Sequence, residues 1–454
     1  MLAESELGEL AKLALDVVLD LGSRPPNWDL AHLASFGLWA FRYDVDGGCL
    51  SVAVREFRRG QRAAFAHLLQ FGPDRGRVAS LEAITCKTIA HSLAATRARL
   101  EAAIADRPAR HLRRLLSGMG LRLGPPPEAC LTATRPSRLT YLTLPAARAR
   151  NLVRRLLLEA TEEHWNIGVL ERPIETVLEN FEPAAVRWLP ARRGGFLADP
   201  FGRVERGRRI VLAEAYDFRD HHGYLVAFEM DETGREIESF EALRLPVHLS
   251  YPQLVQVGGR TYCLPEMSGA GRVQLFRGDP FPTRWVADQV LLEGFAGVDP
   301  TVFEHDGRWW MFAGNHADQD EAKLFLFHAP ALLGPWSPHP LNPVKCDLRS
   351  ARPAGPPFEV PGGLHRPAQD CSTTYGGAIS INRIIRLDQE EFLEETVAVL
   401  RPDPGGPYPH GLHTLSALGS STLLDGKYHR LSWLRLAYGV RATWRDWQGS
   451  KRRR

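Results

Sequence analysis

Residues 196–214 read FLADPFGRVERGRRIVLAE. An acid stands before a proline, a Gly-Arg pair follows, and an apolar run ends on a carboxylate. The arrangement recurs twice more. Pro200, Pro252 and Pro300 are each followed seven residues later by a glycine (Gly207, Gly259, Gly307) and then by an arginine (Arg208, Arg260, Arg308). Behind the arginines come the apolar runs RIVLA, TYCLP and WWMFA, and then GYLVAFEM, RVQLFR and KLFLFHA. Position fourteen after each proline is Glu214, Glu266 or Gly314. Glycine between short apolar runs marks a hairpin turn, so each copy reads as strands joined by tight turns.

The prolines lie 52 and 48 residues apart, close to the length of a four-stranded propeller blade. Two weaker copies start at Arg366 (RPAQDCSTTYGGAISINRIIRL) and Gly411 (GLHTLSALGSSTLLDGKYHRLSWLRL). The expectation is a mainly β chain containing a five-bladed β-propeller. A sandwich of plain hairpins would need neither the X-Pro start nor the constant length of each copy.

The chain before this region has another texture. LALDVVLDLG (13–22) suits a buried strand and its turn, while FGLWAFRYD (36–44) and GCLSVAVREF (48–57) look extended. The stretch 86–116 carries helical spacing broken at Pro108. Residues 120–137 are rich in proline and glycine and read as a linker, and 146–165 read as one amphipathic helix. The boundaries that follow are an α/β region over 1–120, a linker and connecting helix over 121–164, the propeller over 165–440, and a basic tail over 441–454.

With 44 % hydrophobic and 24 % charged residues and a net charge of +3, the composition is that of a globular protein. That charge makes no case for nucleic acid. Six cysteines without CxxC spacing read as reduced thiols, which points to a cytoplasmic location. The acidic N-terminus does not read as a signal peptide, and no stretch reads as a transmembrane segment.

In a propeller the residues at one end of the innermost strands converge on an axis. Asp199 and Asp299 occupy equivalent positions before their prolines, and Asp370 lies three residues after Pro367. Carboxylates sharing a funnel raise one another's pKa, which is what acid–base chemistry on a glycosidic bond requires. The expected catalytic residues are therefore Asp199, Asp299 and Asp370, converging within about 5–10 Å. Glu266, Arg349, Arg352, His365, Arg366 and His413 are the expected substrate-binding residues, since arginine forks suit carboxylates and phosphates. Plain structural readings compete at each position: Asp-Pro as a turn device, the arginines as salt-bridge partners, His413 as a core histidine. No cofactor and no metal ligand set is expected, although the axis leaves room for a cation.

Several motifs together carry a resemblance: FLADPFG, LAEAYDF, HLSYPQL, PEMSGAG, DPTVFEHDGRWWMFAG, GPWSPHPLNPV, RPAQDCS with the later YGG, and HGLHTLS. They resemble the propeller domain at the N-terminal side of plant glucosamine inositolphosphorylceramide transferases and its bacterial relatives in formyltransferase-like proteins, over about residues 165–430. More distantly, ADPFG and DPTVF resemble acid motifs of the five-bladed arabinanase, invertase and levansucrase propellers. That likeness implies Asp199 as nucleophile or base and Asp299 as transition-state stabiliser, with Asp370 in place of the usual glutamate acid. The N-terminal region is similar to the second half of a formyltransferase domain, without its Asn-x-His motif or its cofactor-binding half.

The resulting expectation is a carbohydrate-active propeller that makes, transfers or cleaves a glycosidic bond on a glycan, glycolipid or sugar-phosphate substrate. Two alternatives stand beside it: a non-catalytic glycan-binding module supporting a partner glycosyltransferase, and a relative of amino-sugar formyltransferases. A homo-oligomer is compatible with all three.

Overall fold

The computed structural model describes residues 4–21, 28–43, 53–74, 77–126, 141–231 and 236–431. The chain divides into two compact units, Met1–Leu157 and Leu158–Arg454. The basic tail, Cys49, Cys130 and most of the expected linker lie outside the described residues.

The first unit is built on a four-stranded sheet in the order Val18–Asp20, Leu38–Tyr43, Ala63–Phe71, Val78–Lys87. The first pair is parallel and the others are antiparallel. Ala31, Leu38, Ala40, Leu69 and Phe71 form its core. Two sequence expectations change here. Val54–Arg59, expected to be extended, is a helix closed by Gly60 at φ 67°. The helical stretch starts at Leu93 instead of Cys86, because the residues before it complete the strand Val78–Lys87. Pro108 does break the helix, sitting in the first turn of Arg107–Leu116, where its missing N–H costs nothing.

Among its described residues the second unit holds five four-stranded antiparallel sheets, the third with one additional short strand. Sheet one runs Gly195–Glu205, Arg208–Asp217, His222–Met230, Glu236–Leu243. Sheet two runs Ser250–Val257, Arg260–Glu266, Arg272–Gly278, Trp285–Glu293, and sheet three opens with Gly297–His305, Arg308–Asn315 and Lys323–Ala329. Sheet four consists of Phe358–Val360, Gly363–Asp370, Ala378–Leu387 and Phe392–Leu400. Sheet five joins both ends of the unit: Leu415–Leu418 and Ser421–Leu431 pair with Thr161–Leu170 and Arg187–Trp188. Thr161–Trp165, expected to end a helix, is therefore strand. The preceding helix, Leu144–Glu159, stops short of it.

The repeated sequence features have local causes. In each of the first three sheets the first hairpin turns on two residues of positive φ: Arg206-Gly207, Gly258-Gly259 and Asp306-Gly307. That is the turn whose twist matches paired strands, and its second position favours glycine. The residue before each repeated proline, Asp199, Tyr251 or Asp299, has φ of 52°, 48° and 47°. Each lies at an irregularity where the first strand slips against the second. Such bulges bend a strand and re-aim a side chain. The residue before the repeated proline thus marks a bulge, and the bulge recurs in the first three sheets.

Five apolar clusters join neighbouring sheets. Val211 and Phe228 meet Leu423 between sheets one and five, and Leu212 and Ala227 meet Cys263 and Phe276 between one and two. Leu264 and Leu275 meet Met311 between two and three, and Phe312 and Leu326 meet Leu364 and Phe392 between three and four. Ile379 and Ile381 meet Leu415 and Leu424 between four and five. Both faces of the middle strands are covered, which explains why their sequences are continuous apolar runs and not alternating ones.

The weaker copies need a different register. Arg366-Pro367 lies on the second strand of sheet four, not the first. The residues matching Asp199-Pro200 there are Arg352-Pro353, since Pro353 bridges Ala368. Gly355, at φ 140°, carries this segment past sheet five, where a Cβ would lie 1.9 Å from the Leu415 carbonyl oxygen. Leu415 N donates to Ala354 O at 2.7 Å across the same approach.

Candidate active site

The starts of the first strands and the ends of the second strands bring charged side chains together around Asp199. Its backbone N–H donates to Asp425 Oδ2 at 2.9 Å. Its carboxylate accepts from Tyr251 N at 3.2 Å and from Thr414 Oγ1 at 2.6 Å. His413 Nε2 lies 3.6 Å from Asp199 Oδ1, and its Nδ1 lies 2.6 Å from Asp425 Oδ2. Asp425 also accepts from the backbone N–H groups of His413 and Thr414, at 3.1 and 3.0 Å. The imidazole stacks on Trp165 with ring centres 3.7 Å apart.

Asp299 is built the same way two sheets on. Its N–H donates to Glu266 Oε2 at 3.0 Å, and its Oδ2 accepts from Arg352 Nε at 2.7 Å and Gln369 Nε2 at 2.9 Å. Arg352 further lies near Glu266 (3.8 Å) and Asp320 (3.5 Å), with its guanidinium over the Tyr375 ring.

Beside these groups opens a cavity of about 330 Å³. Its polar wall includes Asp199, Glu214, Glu266, Arg352, His248 and His413, and its aromatic wall Trp165, Phe196, Tyr216, Phe218 and Tyr375. Such a wall suits the apolar faces of a sugar ring, while the acids and Arg352 suit its hydroxyls. Lys427, fully buried, holds the floor by donating to Glu163 and the Tyr375 carbonyl, its ammonium 5.1 Å from the Trp165 ring.

Five of the nine expected site residues meet here: Asp199, Asp299, Glu266, Arg352 and His413. Asp299 is buried behind the cavity wall and reaches it through Arg352. The other four are placed elsewhere. Asp370 ends its strand by accepting from Ser372 N at 2.9 Å, and Arg349 pairs with Asp347. His365 Nδ1 donates to Gly363 O and the ring stacks on Phe358. Arg366 is locked to Glu394 by two hydrogen bonds of 2.8 and 2.6 Å. Sequence proximity to Asp370 misleads, because Arg349 and Arg366 are each held by another carboxylate, Asp347 and Glu394. Sequence reasoning also misses Asp425, whose only signal is an acid inside the apolar run STLLDG. Trp165 escapes it too, since the strand that carries it reads as helix.

Burial pushes the Asp199 carboxyl up to about 7; the positive His413 opposes this, and Asp425, Glu214 and Asp299 add to it. Burial likewise raises Asp299 to about 8, opposed by Arg352 and reinforced by Glu266. Burial pulls the His413 imidazole down, but Asp425 and Asp199 outweigh it and raise the group to about 9. Asp199, His413 and Asp425 each offer an atom within 4.8 Å of the others, the spacing of a metal site. In this arrangement Asp425 holds the Nδ1–H of His413, and Nε2 faces Asp199.

These shifts give the second unit a pH dependence. Asp199, Asp299 and His413 all bind protons more tightly folded than unfolded, so their contribution to stability falls as pH rises. The window runs from about 4, the unfolded carboxyl value, to about 9, the folded imidazole value. The thermal midpoint of the second unit is expected to drop between pH 6 and pH 9 in calorimetry. A midpoint that climbed over that interval would contradict these protonation states.

Residues 189–404 match the family model described as Glucosamine inositolphosphorylceramide transferase 1, N-terminal. The resemblance read from the motifs therefore holds over that segment. The rice protein Glucosamine inositolphosphorylceramide transferase 1 (Oryza sativa subsp. japonica) is 33 % identical over 208 residues, covering 44 % of this chain and 28 % of the rice protein. Its namesake in Arabidopsis thaliana is 32 % identical over 208 residues, 44 % of this chain and 27 % of that protein. The chain thus spans little more than a quarter of the length of the curated relatives it matches. Among solved structures, Zg3597, a family 117 glycoside hydrolase from Zobellia galactanivorans, aligns at 12 % identity and TM-score 0.38, over 53 % of this chain and 88 % of its own. The GH62 α-L-arabinofuranosidase catalytic domain of Coprinopsis cinerea aligns at 12 % and 0.38, over 52 % and 92 %.

Proposed function

We propose that the five sheets are the blades of a five-bladed β-propeller and that the cavity at Asp199 makes or breaks a glycosidic bond on a glycan or glycolipid. The supporting observation is the pair Asp199 and Asp299. They lie 100 residues apart in the chain on matching bulges, both buried, and tied through Arg352 and His413 to a single aromatic-walled cavity.

In this reading Asp199 takes a proton from the attacking hydroxyl or water, a task suited to a carboxyl that titrates near neutrality. Arg352, held by Asp299 from behind, supplies positive charge to the oxygen that gains electrons as the bond breaks. The transferases with which residues 189–404 share sequence favour transfer to a lipid-linked acceptor.

A second reading is a glycan-binding module. It is favoured by the engagement of both Asp199 oxygens, with Thr414 and Tyr251 N, and by the large part of the relatives that lies outside the match. Asp199→Asn separates the two, since only the first reading has turnover to lose.

A further inference from the structure

Resting on the glycosidic-bond reading, we propose that Glu214 is the proton donor to the leaving oxygen and that His248 is its positioning residue. Glu214 breaks a pattern that its counterparts keep. Glu266 accepts from the N–H of Asp299, on the bulge of the next sheet, and Asp425 accepts from the N–H of Asp199. Each acid thereby fixes its neighbour's bulge. Glu214 stands fourteen residues after Pro200, as Glu266 does after Pro252, so its counterpart would be the N–H of Tyr251. That N–H donates to Asp199 Oδ2 instead. Glu214 is released from the backbone and stands in the wall of the cavity that Asp199 lines.

Its partner is a side chain. His248 Nε2 lies 3.2 Å from Glu214 Oε1, and His248 Nδ1 accepts from Gly223 N at 3.0 Å. A ring nitrogen that accepts a backbone N–H carries no proton, so the neutral imidazole has its hydrogen on Nε2, pointed at Glu214. Oε1 is thus occupied and Oε2 is left to carry the acidic proton. Gly223 makes this fit possible: a Cβ there would lie 2.4 Å from His248 Cε1 and 2.7 Å from Glu214 Oε1. The other charged groups acting on the pair are Asp199 and Glu266.

The step balances. The Oε2–H bond of Glu214 breaks as a new O–H bond forms on the leaving sugar oxygen, which takes the electron pair of its bond to the anomeric carbon. The attacking oxygen bonds to that carbon and gives its proton to Asp199. A carboxylic acid is needed only when the leaving oxygen is a poor one, so the substrate class is a glycoside with an alcohol leaving group, not a sugar phosphate.

The test uses the full chain on a panel of 4-nitrophenyl glycosides and the corresponding methyl glycosides. Asp199→Asn is expected to lose turnover on both. Glu214→Gln is expected to lose about 100-fold or more on methyl glycosides and less than about tenfold on 4-nitrophenyl glycosides, whose leaving group needs little protonation. His248→Ala is expected to lower kcat on methyl glycosides by about tenfold with KM little changed, because the donor that fixes the Glu214 carboxyl is gone, and His248→Gln to restore it. If Asp199→Asn is inactive while Glu214→Gln is unchanged, or loses equally on both classes, the donor assignment is wrong and the base reading survives. If the wild-type chain turns over neither class, both fall together.

Discussion

Replacing Asp425 with alanine is expected to destabilise the second unit by about 3–5 kcal/mol, the usual result of breaking a buried ion pair from one side. Asp425 is fully buried and satisfies the N–H groups of Asp199, His413 and Thr414 together with the His413 ring. Its loss leaves those donors without their acceptor, and each orphaned group costs about 1–3 kcal/mol. For a unit of this size the thermal midpoint should fall by roughly 10 °C. Asp425→Asn keeps an acceptor oxygen and should cost less, but it removes the charge that raises His413. The fall in stability toward pH 9 should flatten with it. A midpoint within about 2 °C of wild type for Asp425→Ala would show that the triad does not hold the first and fifth sheets together.

Asp199→Asn is expected to reduce turnover by about 10²–10⁴-fold, the range for loss of a general base, while the fold persists. Asparagine has nearly the same shape and its oxygen can still accept from Thr414 or Tyr251 N. The buried site also loses one of several like charges, so a stability loss above about 2 kcal/mol would point to a structural role. Steady-state kinetics with calorimetric binding on the same samples separates the outcomes. Lost turnover with retained affinity supports the base; unchanged turnover removes Asp199 from the chemistry; and binding by a wild type without turnover supports the module.

What the sequence reveals, and what it hides, follows from how strands report on their neighbours. Gly207, Gly259 and Gly307 are legible because a two-residue turn leaves little choice of residue. Asp199 and Asp299 are legible because a bulge before proline restricts the backbone in the same way each time. Arg352 sits at the matching place in sheet four, but with arginine for the acid and a longer hairpin its copy cannot be aligned by spacing, and Arg366-Pro367 mimics it. Side-chain direction is hidden as well: nothing near Arg366 in the chain announces Glu394 as its partner. Sheet five is the hardest to read, because its strands come from opposite ends of the unit and Trp165 meets His413 only once they pair. In the first unit the helix Val54–Arg59 and the strand Ala63–Phe71 lie in a stretch whose local pattern favours neither.

Catalysis at this site requires that one cavity gather Asp199, Arg352 and His413 around a sugar. A crystal structure of the chain soaked with the glycosides of the panel decides whether it does. A sugar ring is expected against the aromatic wall, with its anomeric centre or the attacking oxygen within hydrogen-bond reach of Asp199. A sugar seated elsewhere, or side chains at 199 and 299 directed away from a common cavity, would overturn the assignment.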